Sequence, residues 1–241
     1  MSSESSRAKA TVHAVPTLEM ERSIGSEGFD LIIGLDEVGR GSLAGPVMVG
    51  AASLLSASLR DHDVPEGLAD SKMLSPQRRE RLVAPLRAWT DTCAIGSASN
   101  REIDQLGISH ALGLAALRAI CAVEKALNLQ SGSGQARVAA ILDGPFDYVT
   151  KALNAFDTPD VSIIPKVFTK IRADSSCATV AAASVLAKVR RDAVMTELSL
   201  SSPEYAPFHW EHNKGYGSAA HREAIRKFGP SDLHRVTWHL L

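Results

Sequence analysis

Two apolar runs, Leu31 to Leu35 and Val47 to Leu55, enclose a short glycine-rich stretch, and both predict strands lying side by side. Ser75-Pro76 then opens a helix through about Arg87, because serine caps a helix and proline suits its first turn. Cys93 to Ser97 predicts a short strand. Apolar residues recur at helical spacing from Ser109 to Leu127 (Leu112, Ala115, Ala116, Ala119, Ile120, Val123). Gln130 to Gln135 is a glycine-serine connector. Val138 to Leu142 predicts a strand that ends in Asp143-Gly144, and Val161 to Val167 predicts another. A long helix follows from about Ser176 to Leu198, alanine-rich in its first half. The last forty residues, broken by Pro203, Pro207, Gly215, Gly217, Gly229 and Pro230, predict short helices and loops wrapped on the core. The first residues, through about Ser26, predict a solvated tail. Strands first, then strands alternating with helices, indicate an α/β fold with a mixed sheet and a helical C-terminal extension.

A chain of 241 residues fits one large domain or one domain with an appendage, and 45% apolar residues suffice for a substantial core. No apolar run is long enough to cross a bilayer, and the first ten residues lack the apolar centre of a secretory signal. Cys93, Cys121 and Cys177 stand far apart, which fits a reducing cytosol and argues against disulfides or a zinc-thiolate site. A cytoplasmic location is therefore expected. The net charge of −1 hides two basic regions. Lys166, Lys170, Arg172, Lys188, Arg190 and Arg191 form one, and Lys214, Arg222, Arg226, Lys227 and Arg235 form the other. Such crowding suits either a basic groove or ordinary solvated helix faces.

The chemistry concentrates where apolar strands end in acids. Asp36 and Glu37 close the first strand, Asp143 closes a later one, and Asp174 stands before the alanine-rich helix. Open sheets place their chemistry at the carboxyl ends of strands. Four carboxylates at one sheet edge repel one another and need cations, and hard oxygen ligands favour Mg²⁺ or Mn²⁺. Each acid also has a plain alternative: a solvated strand end for Asp36-Glu37, a turn for Asp143-Gly144, a helix cap for Asp174. Asp192 reads as an ion pair with Lys188, four residues before it. The Gly39-Arg40-Gly41 turn lets a ligand approach the backbone closely, but it matches neither the dinucleotide fingerprint nor a phosphate-binding P-loop. His209 and His212 lack partners for a zinc site and read as structural.

Beyond these local readings, the segment GLDEVGRGSLAGP (Gly34 to Pro46) strongly resembles the opening motif of the ribonuclease HII family, the type 2 ribonucleases H. Further motifs follow in the family's order. They are Asp70-Ser71-Lys72, Glu102 to Ile108, Leu142-Asp143-Gly144, Arg172-Ala173-Asp174, Ala181 to Asp192, and Asn213 to Gly217 with His221. The resemblance runs from about Asp30 to His234. It implies a ribonuclease H-like mixed β-sheet flanked by helices, with an N-terminal extension over 1–29, a catalytic domain over 30–200 and a substrate-sensing helical extension over 201–241.

The same resemblance implies a metal-dependent endoribonuclease. Asp36, Glu37, Asp143 and Asp174 match the family's metal-binding carboxylates, served by Mg²⁺ or Mn²⁺. Gly39, Arg40 and Gly41 match the element that reads a ribose 2′-hydroxyl. Tyr216 matches the tyrosine that packs on the sugar at an RNA–DNA junction, and Lys72 a lysine near substrate phosphates. The implied partners are RNA–DNA hybrids and duplex DNA containing single ribonucleotides, with no membrane, and the chain is expected to act as a monomer. The implied cut lies 5′ of the ribonucleotide and leaves 3′-hydroxyl and 5′-phosphate ends. Met73 stands where the family often has a second lysine, Pro145 where a polar residue is common, and Trp210 near a usual phenylalanine. Two rivals are a glycoside hydrolase and a nucleic-acid-binding module with a decayed site. Adjacent acids on a strand point to opposite faces, which suits a carboxylate pair poorly. The presence of all four acids argues against decay.

Overall fold

A computed structural model describes residues 15–129, 136–153 and 158–241. The connector from Gln130 to Gln135 lies outside the described residues. Five strands form one sheet: β1 (Leu31–Val38), β2 (Val47–Leu55), β3 (Thr92–Ala98), β4 (Val138–Asp143) and β5 (Lys166–Lys170). Their spatial order is β3-β2-β1-β4-β5. The first three strands run as antiparallel neighbours, whereas β4 and β5 add in parallel beside β1. The mixed sheet predicted from the strand order is therefore present. The strand predicted over Val161 to Val167 starts later, at Lys166, because Pro165 has no N–H to give a ladder.

Helices cover both faces of the sheet. The helix α4 (Ile108–Ala126) packs on one face with Leu31, Ile33, Leu35, Ala140 and Leu142. The helix α6 (Ala178–Ser201) packs on the other with Ile32, Ala52, Ala139 and Ile141. Strand alternation thus sends odd residues of β1 towards α4 and even ones towards α6. The alanines of α6 let it lie close: a Cβ on Gly34 would come within 2.3 Å of the Thr179 backbone, and one on Gly50 within 2.4 Å of the Ala183 carbonyl. Close approach is why both positions are glycine. The helix α2 (Pro76–Trp89) begins as its sequence predicts, with the Ser75 hydroxyl accepting from the Arg78 amide.

The expectation of a solvated tail through Ser26 fails from residue 15 onward. Thr17 bridges Cys177, and Leu18, the N-cap of α1 (Glu19–Ser26), and Ile24 within it are buried in the apolar cluster shared with α6. Its Glu21 carboxylate accepts from the Thr179 amide at 2.9 Å and from the Thr179 hydroxyl at 2.8 Å. Glu21 therefore does the capping work at the start of α6 that Asp174 was a candidate for. The C-terminal extension, with α7 (Trp210–Asn213) and α8 (Ala219–Phe228), forms its own apolar cluster with Leu43, Ala44 and Met195. Trp210 is fully buried there, a packing residue. All three cysteines are free, and Cys121 and Cys177 are buried.

Candidate active site

The sheet register sets the first part of the site. Leu35 pairs with Leu142 between parallel β1 and β4, so Asp36 and Asp143 stand level on adjacent strands. Neighbouring strands lie about 4.8 Å apart. Both side chains take the α6 face, following Ile32 and Ile141 four and two positions away. Asp143 then reaches a third acid through the backbone: its Oδ1 accepts from the Ala173 amide at 2.7 Å. That bond pins the single 3-10 turn Ala173–Ser175, which carries Asp174 into α6. The Lys72 ammonium donates to Asp174 Oδ2 at 3.3 Å. Three aspartates and one lysine, from four distant segments, therefore meet at one sheet end.

Glu37 does not join them on that face. As its place in the strand requires, it turns towards the α4 side, where Tyr148 donates to its Oε2 at 3.1 Å and Arg40 to its Oε1 at 3.1 Å. Burial, then the charges of Glu37 and Asp36, hold the Tyr148 hydroxyl well above its usual range, so it stays a donor. Glu37 still acts on Asp36 through its charge.

Electrostatics mark Asp36 as the strained member. Burial pushes its carboxyl up to about 7, and the charges of Asp143 and Glu37 push the same way. A bond from the Ser184 hydroxyl and the Lys72 charge oppose them. Ser184 in turn meets the Ser71 hydroxyl at 2.8 Å, and Arg79 donates to the Ser71 carbonyl at 3.0 Å. Burial also raises Asp174, as do Asp143 and Asp70, against Lys72. Burial lowers Lys72, but Asp174, Asp36 and Asp70 outweigh it and raise the ammonium.

Among the described residues, no three histidine, cysteine, aspartate or glutamate side chains lie close enough to hold one ion as they stand. The chemistry of the donors nevertheless fits a hard divalent cation. Every donor is a carboxylate oxygen, and Asp36, raised first by burial and then by the charges of Asp143 and Glu37, sits among like charges that the positive charge of a cation would offset. Lys72 and Arg40 supply part of that charge through their bonds to Asp174 and Glu37.

The glycine turn after β1 is built around two buried guanidiniums. Arg235 donates to the carbonyls of Gly39 at 2.7 Å, Arg40 at 2.8 Å and Gly45 at 3.1 Å. Arg191 donates to the Ser42 hydroxyl at 2.8 Å and the Pro46 carbonyl at 3.0 Å. Gly39 has a φ of +84°, and a Cβ there would fall 2.0 Å from Arg191 Nε. With the carbonyls so engaged, the Arg40 and Gly41 amides donate to no partner among the described residues. A Cβ on Gly41 would meet nothing within 4 Å, so the turn is open on that side.

Tyr216 stands beside this turn, bridged to Ser42. Arg191 lies 5.4 Å and Lys188 5.8 Å from its ring centre. Its backbone is held by a chain of neutral histidines. His221 Nδ1 donates to the Tyr216 carbonyl at 2.9 Å, while His221 Nε2 accepts from Trp210 at 3.0 Å and meets His234 Nε2 at 3.1 Å. Burial lowers both histidines, His234 to about 4. Lys188 pairs with Asp192 at 2.8 Å, as their spacing predicts. His209 and His212 instead lie at the surface against Glu211. Sequence reasoning missed Tyr148, Ser184 and the roles of Arg191 and Arg235. Only a charge inside an otherwise apolar or small-residue stretch hinted at any of them.

Comparison with known proteins agrees with this architecture. A sequence model described as ribonuclease HII matches residues 33–241. The ribonuclease HII of Streptomyces griseus is 43% identical over 227 residues, covering 94% of this chain and 85% of that one. Among solved structures, the Archaeoglobus fulgidus ribonuclease HII in its complex with PCNA superposes with a TM-score of 0.63 at 23% identity, covering 88% of this chain and 96% of that chain. A Bst ribonuclease HIII in complex with Mn²⁺ superposes at 0.65 and 22% identity, covering 87% and 67%. At such identities the superpositions speak for the fold, while the match over 33–241 and the 43% identity speak for descent, and on those grounds this chain belongs to the ribonuclease HII family and is a ribonuclease H-type endoribonuclease.

Proposed function

We propose that the enzyme hydrolyses the phosphodiester 5′ of a ribonucleotide, in RNA–DNA hybrids and in duplex DNA carrying single ribonucleotides. Asp36, Asp143 and Asp174 would hold Mg²⁺ or Mn²⁺, with Glu37, bonded to Tyr148 and Arg40 on the α4 side, completing the four acids from the same strand end. When bound, two such cations would supply positive charge for activating water and stabilising the leaving 3′-oxygen, and the cut would leave 3′-hydroxyl and 5′-phosphate ends. The observation that carries this reading is the meeting of Asp36, Asp143 and Asp174 on one face, beside a turn with open amides. The Bst relative's Mn²⁺ agrees with it.

The protein's own groups then do the positioning. The 2′-hydroxyl is both donor and acceptor and separates RNA from DNA at a single nucleotide. The free Arg40 and Gly41 amides supply donors to it, and the missing side chain at Gly41 leaves room for the sugar. Tyr216 packs on the neighbouring sugar from the other side of Ser42. Lys72, exposed along most of its side chain, pairs with Asp174 here and reaches a phosphate when substrate is bound. Arg191 and Arg235 keep the turn rigid, so ribose reading costs little reorganisation.

The test is a duplex with one ribonucleotide, incubated with Mg²⁺, Mn²⁺ or EDTA, with the cut mapped to a single bond. Cleavage 5′ of the ribonucleotide with either ion and none in EDTA is expected. Asp36→Asn abolishes cleavage and keeps duplex binding. Turnover by Asp36→Asn near the wild-type rate would refute the assignment, and cleavage unaffected by EDTA would refute the metal requirement.

A further inference from the structure

On the α4 side of the glycine turn lies a groove of about 450 Å³ that the proposed chemistry leaves unused. Its lining includes Arg40, Phe146, Tyr148 and Lys151. Phe146 is 66% exposed, an unusual state for a large aromatic, and it follows the third carboxylate by only three residues. Gly144, with a φ of +93°, turns the chain sharply between them. The groove is continuous with the candidate site, since both Arg40 and Tyr148 bond Glu37. Tyr216 and Phe146 therefore both border the glycine turn, Tyr216 at Ser42 and Phe146 at Arg40.

The groove's chemistry is apolar at its wall and positive at its rim. Arg40 bonds Glu37 through one guanidinium nitrogen, and its side chain is 49% exposed. Lys151 projects from α5 (Val149–Ala152) as an exposed residue with no bond to an acid among the described residues. Among the described residues Asp147 is the one acid in the groove's lining, and it spends one oxygen on the Thr150 amide at 2.9 Å, leaving the two cations in excess. An exposed ring beside two cations matches a nucleic-acid strand, which offers flat or apolar faces between phosphates. In a paired duplex the base faces are already stacked, so the apolar surface within reach is the sugar edge.

We propose that this groove is a second nucleic-acid subsite, in which Phe146 packs on a deoxyribose flanking the ribonucleotide while Lys151 and Arg40 meet its phosphates. The inference rests on the nuclease reading above and extends it to the strand running away from the cut. Phe146 then contributes affinity for flanking duplex and takes no part in ribose recognition.

The experiment measures Kd by fluorescence anisotropy in EDTA. The probes are duplexes with one central ribonucleotide, trimmed two base pairs at a time from either end. Phe146→Ala should bind the longest duplex about tenfold more weakly than wild type, within the range of aromatic–nucleotide contacts. That deficit should vanish once trimming removes the flank that reaches the groove, and Phe146→Tyr should restore wild-type binding. Lys151→Gln should lower the slope of log Kd against log salt by about one. Equal affinities of Phe146→Ala and wild type at every length, or an equal deficit at every length, overturns the subsite alone. Failure of wild type to bind even the longest duplex overturns both this inference and the nuclease reading.

Discussion

Asp36→Asn separates what the site requires from what the fold prefers. In the unfolded chain an aspartate has its ordinary value of 3.8, while in the folded protein burial and its neighbours raise Asp36 to about 7. A raised carboxyl stabilises the fold relative to its ionised form only at low pH. The sign follows directly: its contribution is intact below 3.8, declines as pH rises, and is fully lost above about 7. At about 1.4 kcal/mol per pH unit, the gap from 3.8 to about 7 corresponds to about 4 kcal/mol of destabilisation at pH 8. Asparagine has the same shape and still accepts from Ser184, but never ionises. Urea unfolding in EDTA should therefore show Asp36→Asn gaining on wild type by about 1.4 kcal/mol per unit up to pH 7, with a plateau above. Adding millimolar Mg²⁺ or Mn²⁺ should close the gap by stabilising wild type, about 2.7 kcal/mol at a hundred times Kd, and leave the variant unmoved. A difference that stays constant between pH 5 and 8 would refute the argument, because it would mean Asp36 is not held in a charge-poor site.

Other consequences are equally direct. Tyr216→Ala should weaken binding to a junction-containing duplex more than to all-DNA duplex, by about tenfold as the loss of one stacked contact, and equal losses in a paired titration would contradict its place beside the sugar. His234 is held near pKa 4 against an ordinary 6.5, so the fold should lose about 3 kcal/mol as pH falls from 6.5 to 4. Acid titration of His234→Gln, followed by circular dichroism, should show a flatter profile over that window. Gly96→Ala should destabilise by about 3 kcal/mol or more, since its Cβ would fall 1.9 Å from the Ala115 carbonyl of α4; an unchanged urea midpoint would show that α4 can back away. Glu21→Ala should cost about 1–3 kcal/mol, by leaving the buried Thr179 amide and hydroxyl without their acceptor.

The N-terminal helix shows why some structure was illegible in the chain. Leu18 and Ile24 are too few to advertise an amphipathic helix, and a glutamate between Glu19 and Arg22 reads as solvent-facing. Glu21 becomes a cap only because the tertiary fold carries α1 across the start of α6, more than 150 residues away. Pro165 had the opposite effect, since its missing N–H is a local fact that shortens β5 wherever the strand packs. Tyr148 and Ser184 gave no local sign, because their partners Glu37 and Asp36 come from a strand far along the chain.

Local chemistry determined the strands, the helices and the identity of the acids. Apolar periodicity, glycine spacing and proline placement act over a few residues, and the order of motifs carries the family. Tertiary structure decided which acids face one another. Strand parity turned Glu37 away from Asp36, parallel register brought Asp143 level with it, and one hydrogen bond to the Ala173 amide drew Asp174 in. It also decided the charge state of Asp36, because burial and neighbouring carboxylates exist only once the sheet and α6 have closed together.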